Sequence, residues 1–396
     1  MIRDSWPAVL GSMFVLVHGG AMAQAEADAP PKSSFTIFGT ADVQLENVRT
    51  SGSTDPATDK PARNRLSNVS SDLGFKGYTT FASGMTAQFQ YVTGVNVDNS
   101  SGNTSGGMWA NAKDVFVGLG VPNVGTLKLG RLTGAARWNA GTADFSPAGA
   151  GPQDDQAMIS LASGQTASGP LFNVRLDNAV GFESAAWKGL SVRAYYSANE
   201  GRSNATVATG AKLSDSSYSL GAQYVIGNLD ARVSFERRND KGTLNNSTTN
   251  DTIDKDYRLG IRYTVLPGTQ VALGVDHMSF ADNTATGTAK TGLHRRGWVL
   301  GARHQTGAHV VYGGFGKAGN VACSLANGAA CNGEETGARQ FVVAYNYVAS
   351  KELLWEVHLS QVANQTRAKY DFDSGGLSPG VGAKLTSIGA GVRYSF

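Results

Sequence analysis

The sequence predicts an all-β protein, a transmembrane antiparallel β-barrel, and three features of the chain support this fold class. Its last ten residues, Ser387 to Phe396, alternate polar and apolar side chains and finish on an aromatic residue. Fifty of the 396 residues are glycine, and only 16% are charged. Beyond the N-terminal segment no apolar run reaches the roughly 20 residues that a spanning helix needs. Alternation without long apolar runs is typical of strands that face lipid on one side and water on the other.

The N-terminal segment is predicted to be a secretory signal. A charged residue near the start precedes an apolar core over residues 8–17, and small residues follow that core. This pattern places a cleavage site before Gln24 or Glu26. The apolar core is too short to cross a bilayer as an anchor helix. We therefore expect a signal peptide over residues 1–25 and a single barrel domain over residues 26–396.

Sixteen strand-like segments follow along the mature chain, joined alternately by short turns and by long polar loops. Short joins such as Pro267-Gly268 carry the Gly, Asn or Pro that hairpin turns require. Short turns on the periplasmic side and long loops on the extracellular side are typical of bacterial outer-membrane barrels. The predicted strands span residues 34–47, 66–79, 84–97, 109–120, 125–132, 174–187, 189–199, 214–226, 228–239, 254–266, 269–280, 293–305, 308–318, 336–349, 351–363 and 382–396.

Most of these segments separate an apolar face from a polar face. In the first segment Phe35, Ile37 and Val43 share one face, whereas Asp42 and Glu46 share the other. A charge at the bilayer midplane costs about 2 to 4 kcal/mol on the lipid face, so the charged faces must point inward. A barrel of sixteen strands leaves an aqueous channel. The pattern therefore favours passage of small solutes through a water-filled interior.

Five arginines of the later strands are predicted to line this interior. They either form a binding track for small anionic solutes or act as ordinary wall charges that order water. A general diffusion channel and a substrate-specific channel for small anionic solutes are therefore the two alternatives at this point. The five residues are Arg193, Arg232, Arg258, Arg262 and Arg303.

The remaining composition gives no support to other classes of protein. The net charge is only +3, which does not indicate binding to nucleic acid. His358 and Ser360 share a strand face, but no third group completes a catalytic arrangement, so we do not expect an enzyme. No glycine cluster precedes the helix and Lys of a phosphate-binding loop. We expect no cofactor and no metal, and an adhesin would have only its loops to support it.

Two cysteines, Cys323 and Cys331, lie close together between two predicted strands. An exported protein passes through an oxidising compartment, which favours a disulfide within the loop. Two free thiols are the alternative. A metal site has less support because no His or second thiol pair lies beside them.

Several segments carry a resemblance that covers the whole mature chain. They are residues 34–42, 71–77, 115–120, 125–131, 175–180 and 391–396. In these segments the chain resembles the general trimeric porins of Gram-negative outer membranes, in particular their beta-proteobacterial branch. The resemblance implies an outer-membrane location, a homotrimer surrounded by lipid, and passive diffusion of ions and small hydrophilic solutes. It also implies that Tyr394 and Phe396 form the C-terminal signal for barrel assembly.

The resemblance further implies that the third loop folds into the barrel and narrows it. Here that loop spans about Thr133 to Asn173, and its length alone indicates a functional loop rather than a disordered surface loop. Its acids are expected to face a basic wall across a constriction. The expected acids are Asp144, Asp154 and Asp155, and the expected wall residues are Lys113, Arg131 and Arg175.

Two of these assignments depart from the family pattern or depend on local geometry. Asp72 stands where the family usually has Arg, which puts a strong anion preference in doubt because charged rings set pore selectivity. Arg131 follows Leu127 and Leu129 with the parity of a lipid-facing residue. We expect a bulge at Gly130 to turn Arg131 inward.

Overall fold

The computed structural model describes residues 32–98, 112–162, 172–198, 215–241, 243–245, 251–373 and 376–396. The predicted signal peptide over residues 1–25 lies outside these ranges, and it remains a prediction.

The described chain forms one antiparallel sheet that closes on itself, because the first strand pairs with the last. Two strands are each interrupted by a short irregular stretch, so the described residues form sixteen barrel strands and confirm the predicted number. The strands are β1 (Lys32–Ser51), β2 (Arg63–Asn68 and Asp72–Thr80), β3 (Thr86–Gly94), β4 (Ala112–Val121), β5 (Gly125–Thr133), β6 (Arg175–Ser184), β7 (Leu190–Ser197), β8 (Ser216–Ile226), β9 (Leu229–Asn239), β10 (Thr252–Leu266), β11 (Thr269–Asp282), β12 (Lys290–Thr306), β13 (His309–Ala318 and Ala322–Leu325), β14 (Ala338–Val348), β15 (Leu353–Asn364) and β16 (Lys384–Ser395).

The two faces of the wall differ as the alternation predicts. On β1 the side chains of Phe35, Ile37 and Leu45 are exposed outward, whereas Asp42 and Glu46 are buried inward. The buried inward charges form ion pairs along the wall, such as Arg65 with Glu46 at 2.7 Å. Charged groups of the interior are thus paired across neighbouring strands at such positions, while the outer face offers apolar surface to lipid.

The third loop and the last loop both fold into the barrel. The third loop (residues 134–174) carries the short helices α1 (Ala135–Ala140) and α2 (Ala157–Ser160), which pack on the inner wall from β7 to β14. The last loop (residues 365–383) buries Tyr370, Phe372 and Leu377 in the same apolar cluster as α2. None of the described helices has the length and apolar character that crossing a bilayer requires.

The last strand closes the barrel against the first, and the two cysteines lie together in one loop. The backbone N–H of Gly39 donates to the carbonyl oxygen of Phe396 at 3.1 Å. The N–H of Phe396 donates in return to the carbonyl oxygen of Gly39 at 3.0 Å. These two bonds help to close the barrel, while the rings of Tyr394 and Phe396 stay exposed. Cys323 and Cys331 form a disulfide with their Cα atoms 5.6 Å apart, which confirms the predicted pairing over the free thiols.

Candidate functional site

Inward arginines of β9 and β10 hold the first half of the third loop against the wall. Arg262 donates to the carbonyl oxygens of Thr142 at 2.8 Å, Gly141 at 3.0 Å and Asp144 at 2.7 Å. Arg258 donates to the carbonyl oxygen of Ala136 at 3.2 Å. Loop carbonyls that would otherwise be buried without partners are satisfied in this way.

Trp138 of α1 is held by two further arginines of the wall. Arg193 on β7 places its guanidinium 3.7 Å from the centre of the Trp138 ring, a cation–π contact. Arg232 on β9 donates to the Trp138 carbonyl oxygen at 3.1 Å and also lies over the ring. Four of the five arginines predicted to line a solute track are therefore attached to the loop. The exception is Arg303, which donates to the side chain of Gln305 at 2.6 Å.

The expectation that Arg258 lines an open lumen is wrong. Its side chain is almost fully buried beneath α1 and pairs with Asp256 at 2.6 Å. The sequence alternation correctly gave its inward direction. It did not show that the third loop would cover this part of the wall.

Polar contacts also fix the second half of the third loop. Gln340 on β14 donates its side-chain N–H to the carbonyl oxygens of Pro152 at 3.2 Å and Asp154 at 2.9 Å. The carboxyl of Asp155 packs against the backbone of Gly314 so closely that a Cβ there would lie 2.4 Å from the Asp155 Oδ2. A side chain at position 314 would therefore displace the Asp155 carboxyl from its place against the wall.

Asp144, Asp154 and Asp155, the acid cluster, lie within electrostatic range of one another. Burial raises the pKa of Asp144 to about 7 and that of Asp155 to about 8. Burial, reinforced by the charge of Asp144, raises the pKa of Asp154 well above its usual range. The expectation that all three carboxylates face the basic wall is wrong for Asp154 and Asp155. Both are buried between the loop and β13 and β14.

Lys113 and Asp72 meet on the inner side of β2 and β4. The Lys113 ammonium lies 2.7 Å from the Asp72 carboxylate and also donates to the Ser70 carbonyl oxygen at 3.0 Å. A register shift between Tyr91 and Thr93 leaves an extra residue on β4 and allows both Lys113 and the adjacent Asp114 to reach polar partners. The predicted position of Asp72 among basic groups is thus observed for Lys113.

Arg175 lies where the third loop rejoins the wall. Its Nε donates to Asp114 at 2.8 Å, and the Thr133 hydroxyl donates to the same carboxylate at 2.8 Å. Lys113 lies within electrostatic range of Arg175.

Like Asp114, two further charged residues of this region were not predicted from the sequence. Arg137 of α1 lies within electrostatic range of both Lys113 and Arg175. It donates to the carbonyl oxygen of Asn173 at 2.7 Å, and the Asn173 amide donates to Asp373 of the last loop at 3.3 Å. Burial raises the pKa of Asp373, whereas the positive charge of Arg137 opposes that shift.

Three pairs of opposite charge lie near the entry of the third loop. They are Lys113 with Asp72, Arg175 with Asp114, and Arg137 with Asp373. We call the set the charged rim, and its formal charges balance. Its members are Asp72, Lys113, Asp114, Arg137, Arg175 and Asp373.

Arg131 is not part of the charged rim, and the predicted inward turn at Gly130 is wrong. Arg131 is the register partner of Val115, and the pairing of β5 with β4 continues without a break past Gly130. Arg131 therefore keeps the outward parity of Leu129. The irregularity lies on β6 instead, where Asn178 has a φ of 50° and the register with β5 shifts. This shift exposes Asp177 on the outer face, where it forms an ion pair with Arg131.

Comparisons with solved structures show the same fold at low sequence identity. An anion-selective porin from Comamonas acidovorans superposes with a TM-score of 0.72 at 19% identity, over 92% of this chain and 100% of that chain. The trimer form of OmpT from Vibrio cholerae gives 0.61 at 14% identity, over 92% and 99%. OmpF of Salmonella typhi gives 0.56 at 14% identity, over 91% and 97%. No curated protein matches the sequence closely enough to count as a relative.

A closed sixteen-stranded barrel with a lipid-facing exterior, a charged interior and an in-folded third loop defines a diffusion channel of the bacterial outer membrane. The model of the Gram-negative porin family matches residues 11–367, and the chain belongs to that family. It is therefore an outer-membrane porin, through which ions and small hydrophilic solutes diffuse passively.

Proposed function

We propose that the protein is a general porin with a weak preference for anions, and that the charged rim sets this preference. The observation that supports this is the pairing of each basic group of the rim with a neighbouring acid. Lys113 with Asp72 and Arg175 with Asp114 are direct ion pairs. Paired charges cancel much of each other's field, so the pore discriminates less than a ring of unpaired arginines would.

A small excess of positive charge remains in the rim because of Asp373. Burial raises the pKa of this carboxyl and so disfavours its charged form, whereas Arg137 stays charged. The similar porin from Comamonas is described as anion-selective, which agrees with the preference for anions proposed for this chain. Asp72 and Asp373 keep the preference weak in this chain.

The substrate-specific alternative has less support, because the arginines proposed for an anion track already have partners in the third loop. Arg193, Arg232 and Arg262 contact the loop. A guanidinium engaged with the loop has fewer free donors for a passing solute. We also infer a homotrimer, as in the trimer form of the similar Vibrio structure.

Reversal potentials in a KCl gradient across a planar bilayer test the selectivity proposal. Asp72→Asn and Asp72→Arg should shift the reversal potential progressively toward anions, since each removes negative charge beside Lys113. Arg175→Ala should shift it toward cations. Arg131→Ala is the matched control, because it removes an arginine from the outer face, and it should leave the potential unchanged. Equal potentials for Arg175→Ala, Arg131→Ala and the wild type would show that the rim does not set selectivity.

A further inference from the structure

The inner face of β1 to β4 carries a groove in the half of the barrel that lies near the short turns. The groove has a volume of about 120 Å³. Lys76, at its centre, lies four residues along β2 from Asp72 of the charged rim, so the two positions are about 13 Å apart. We call this feature the inner groove. Its inward members are Thr36, Lys76, Tyr78, Gln88, Gln90 and Phe116.

The alternation of the strands places these side chains on the wall of the channel. Lys76 alternates along β2 with the inward parity of the charged rim. On β3 and β4 the side chains of Phe89 and Val117 are exposed outward, so Gln90 and Phe116 face inward. Lys76, Gln90 and Phe116 are direct register partners on three neighbouring strands. Neighbouring strands lie about 4.8 Å apart, so one small molecule can contact all three side chains.

The ammonium group of Lys76 is held against an aromatic ring and has no acid beside it. It lies 4.9 Å from the centre of the Phe38 ring, a cation–π contact. The far end of that ring rests on Gly74, where a Cβ would lie only 2.4 Å from the ring. Among the described residues no ion pair includes Lys76, and no inward position of β1 to β4 between the charged rim and the short turns holds Asp or Glu. This cation therefore favours an anionic ligand.

Aromatic rings and amides complete the inner groove around this cation. The Phe116 ring packs against a buried apolar cluster that includes Leu132, which fixes its position. The Tyr78 side chain is 49% exposed, and the amides of Gln88 and Gln90 offer N–H donors. An engineered protein cavity of about 150 Å³ accepts one benzene ring, so an open groove of this size accommodates a single aromatic ring.

We propose that the inner groove binds aromatic carboxylates as they pass through the channel. The carboxylate accepts charge-assisted hydrogen bonds from Lys76 and a further bond from the amide of Gln90, and the ring lies against Phe116. An aliphatic carboxylate or inorganic phosphate would use the cation alone, whereas an aromatic carboxylate uses the cation and the rings. The inner groove is separate from the charged rim, so it retains one class of solute whatever ion preference the rim sets.

Titration of the channel conductance in a planar bilayer tests this proposal, with benzoate, benzamide and acetate as probes of the reconstituted full-length protein. Benzoate should reduce the KCl conductance of the wild type saturably, because a bound ring occupies part of the lumen. Benzamide lacks the charge and acetate lacks the ring, so each should bind about tenfold more weakly. Lys76→Gln should weaken benzoate binding about tenfold, and Phe116→Leu should weaken it about fivefold while leaving acetate unaffected.

The matched control is Arg303→Gln, which removes one inward cation of β12, away from the inner groove, and should bind benzoate like the wild type. Unchanged benzoate binding by Lys76→Gln, an equal loss in the control, or equal binding of benzoate and acetate by the wild type would overturn the proposal. Heat-modifiable mobility of the barrel on gels confirms that each variant is folded. If Phe116→Leu does not fold, the comparison of benzoate with acetate decides the role of the rings. Reversal potentials in KCl report on the charged rim and the benzoate titration reports on the inner groove, so either proposal can fail while the other stands.

Discussion

Arg262 is the strongest single attachment of the third loop, and its replacement by alanine tests whether wall arginines hold the loop in place. The side chain donates three hydrogen bonds to loop carbonyls, and its guanidinium lies 4.8 Å from the centre of the Phe145 ring. The variant Arg262→Ala removes all these contacts and leaves the strand backbone intact.

The expected magnitude follows from the number of contacts. A net contribution of about 1 kcal/mol for each hydrogen bond gives about 3 kcal/mol for local attachment of the loop. A loss of that size raises the population of the detached loop about a hundredfold. Barrel stability as a whole changes little, because the ladder hydrogen bonds of β10 do not involve the side chain.

Hydrogen exchange of the loop amides measures this change. The amides of Trp138, Thr142 and Ala143 donate to backbone carbonyls within the loop, so their exchange reports its opening. Their exchange should accelerate about a hundredfold in Arg262→Ala, while amides of β10 remain protected. The control Arg303→Ala removes a neighbouring arginine whose observed bond is to Gln305 on its own strand, and it should change nothing. Equal protection in both variants would refute the idea that Arg262 anchors the loop.

Two further predictions concern pH and closure of the barrel. Anion preference should fall as the pH rises from about 6 to about 9, because burial raises the pKa of Asp144 to about 7 and that of Asp155 to about 8, so that both carboxyls become charged over this range. A reversal potential that is constant over this range would contradict it. Since these values are raised in the folded state, the same carboxyls stabilise the loop at low pH, and that contribution is lost progressively as the pH rises from the usual carboxyl pKa of 3.8 to the folded values of about 7 and 8. Deleting Phe396 should lower the yield of folded barrel in the outer membrane without affecting export, because two backbone hydrogen bonds to Gly39 worth about 2 kcal/mol are lost. Undiminished insertion on quantitative gels would show that Phe396 is dispensable.

The barrel was predictable from sequence because its governing pattern is local. Alternation with period two is visible within each strand, and glycine-containing turns mark the ends, so number and facing of the strands followed directly. Arg131 shows where this approach fails. A bulge at Gly130 would have turned the Arg131 side chain inward. The bulge lies instead at Asn178 of the neighbouring strand, so Arg131 stays on the outer face.

The constriction was only partly predictable, because its members come from loops without periodicity. The position of Asp72 beside Lys113 could be predicted from the family pattern and from the alternation along β2, which directs the Asp72 side chain inward. Asp373 reaches Asn173 across 200 positions of sequence, and no local signal indicates that contact. The burial of Arg258 beneath α1 was equally hidden, since alternation gives the direction of a side chain but not what covers it.

Single-channel recording of the wild-type protein in a tenfold KCl gradient tests the central claim most directly. The account predicts a water-filled channel whose reversal potential lies slightly on the anion side of zero at neutral pH. A potential close to ideal anion selectivity, a preference for cations, or no conductance at all would contradict it.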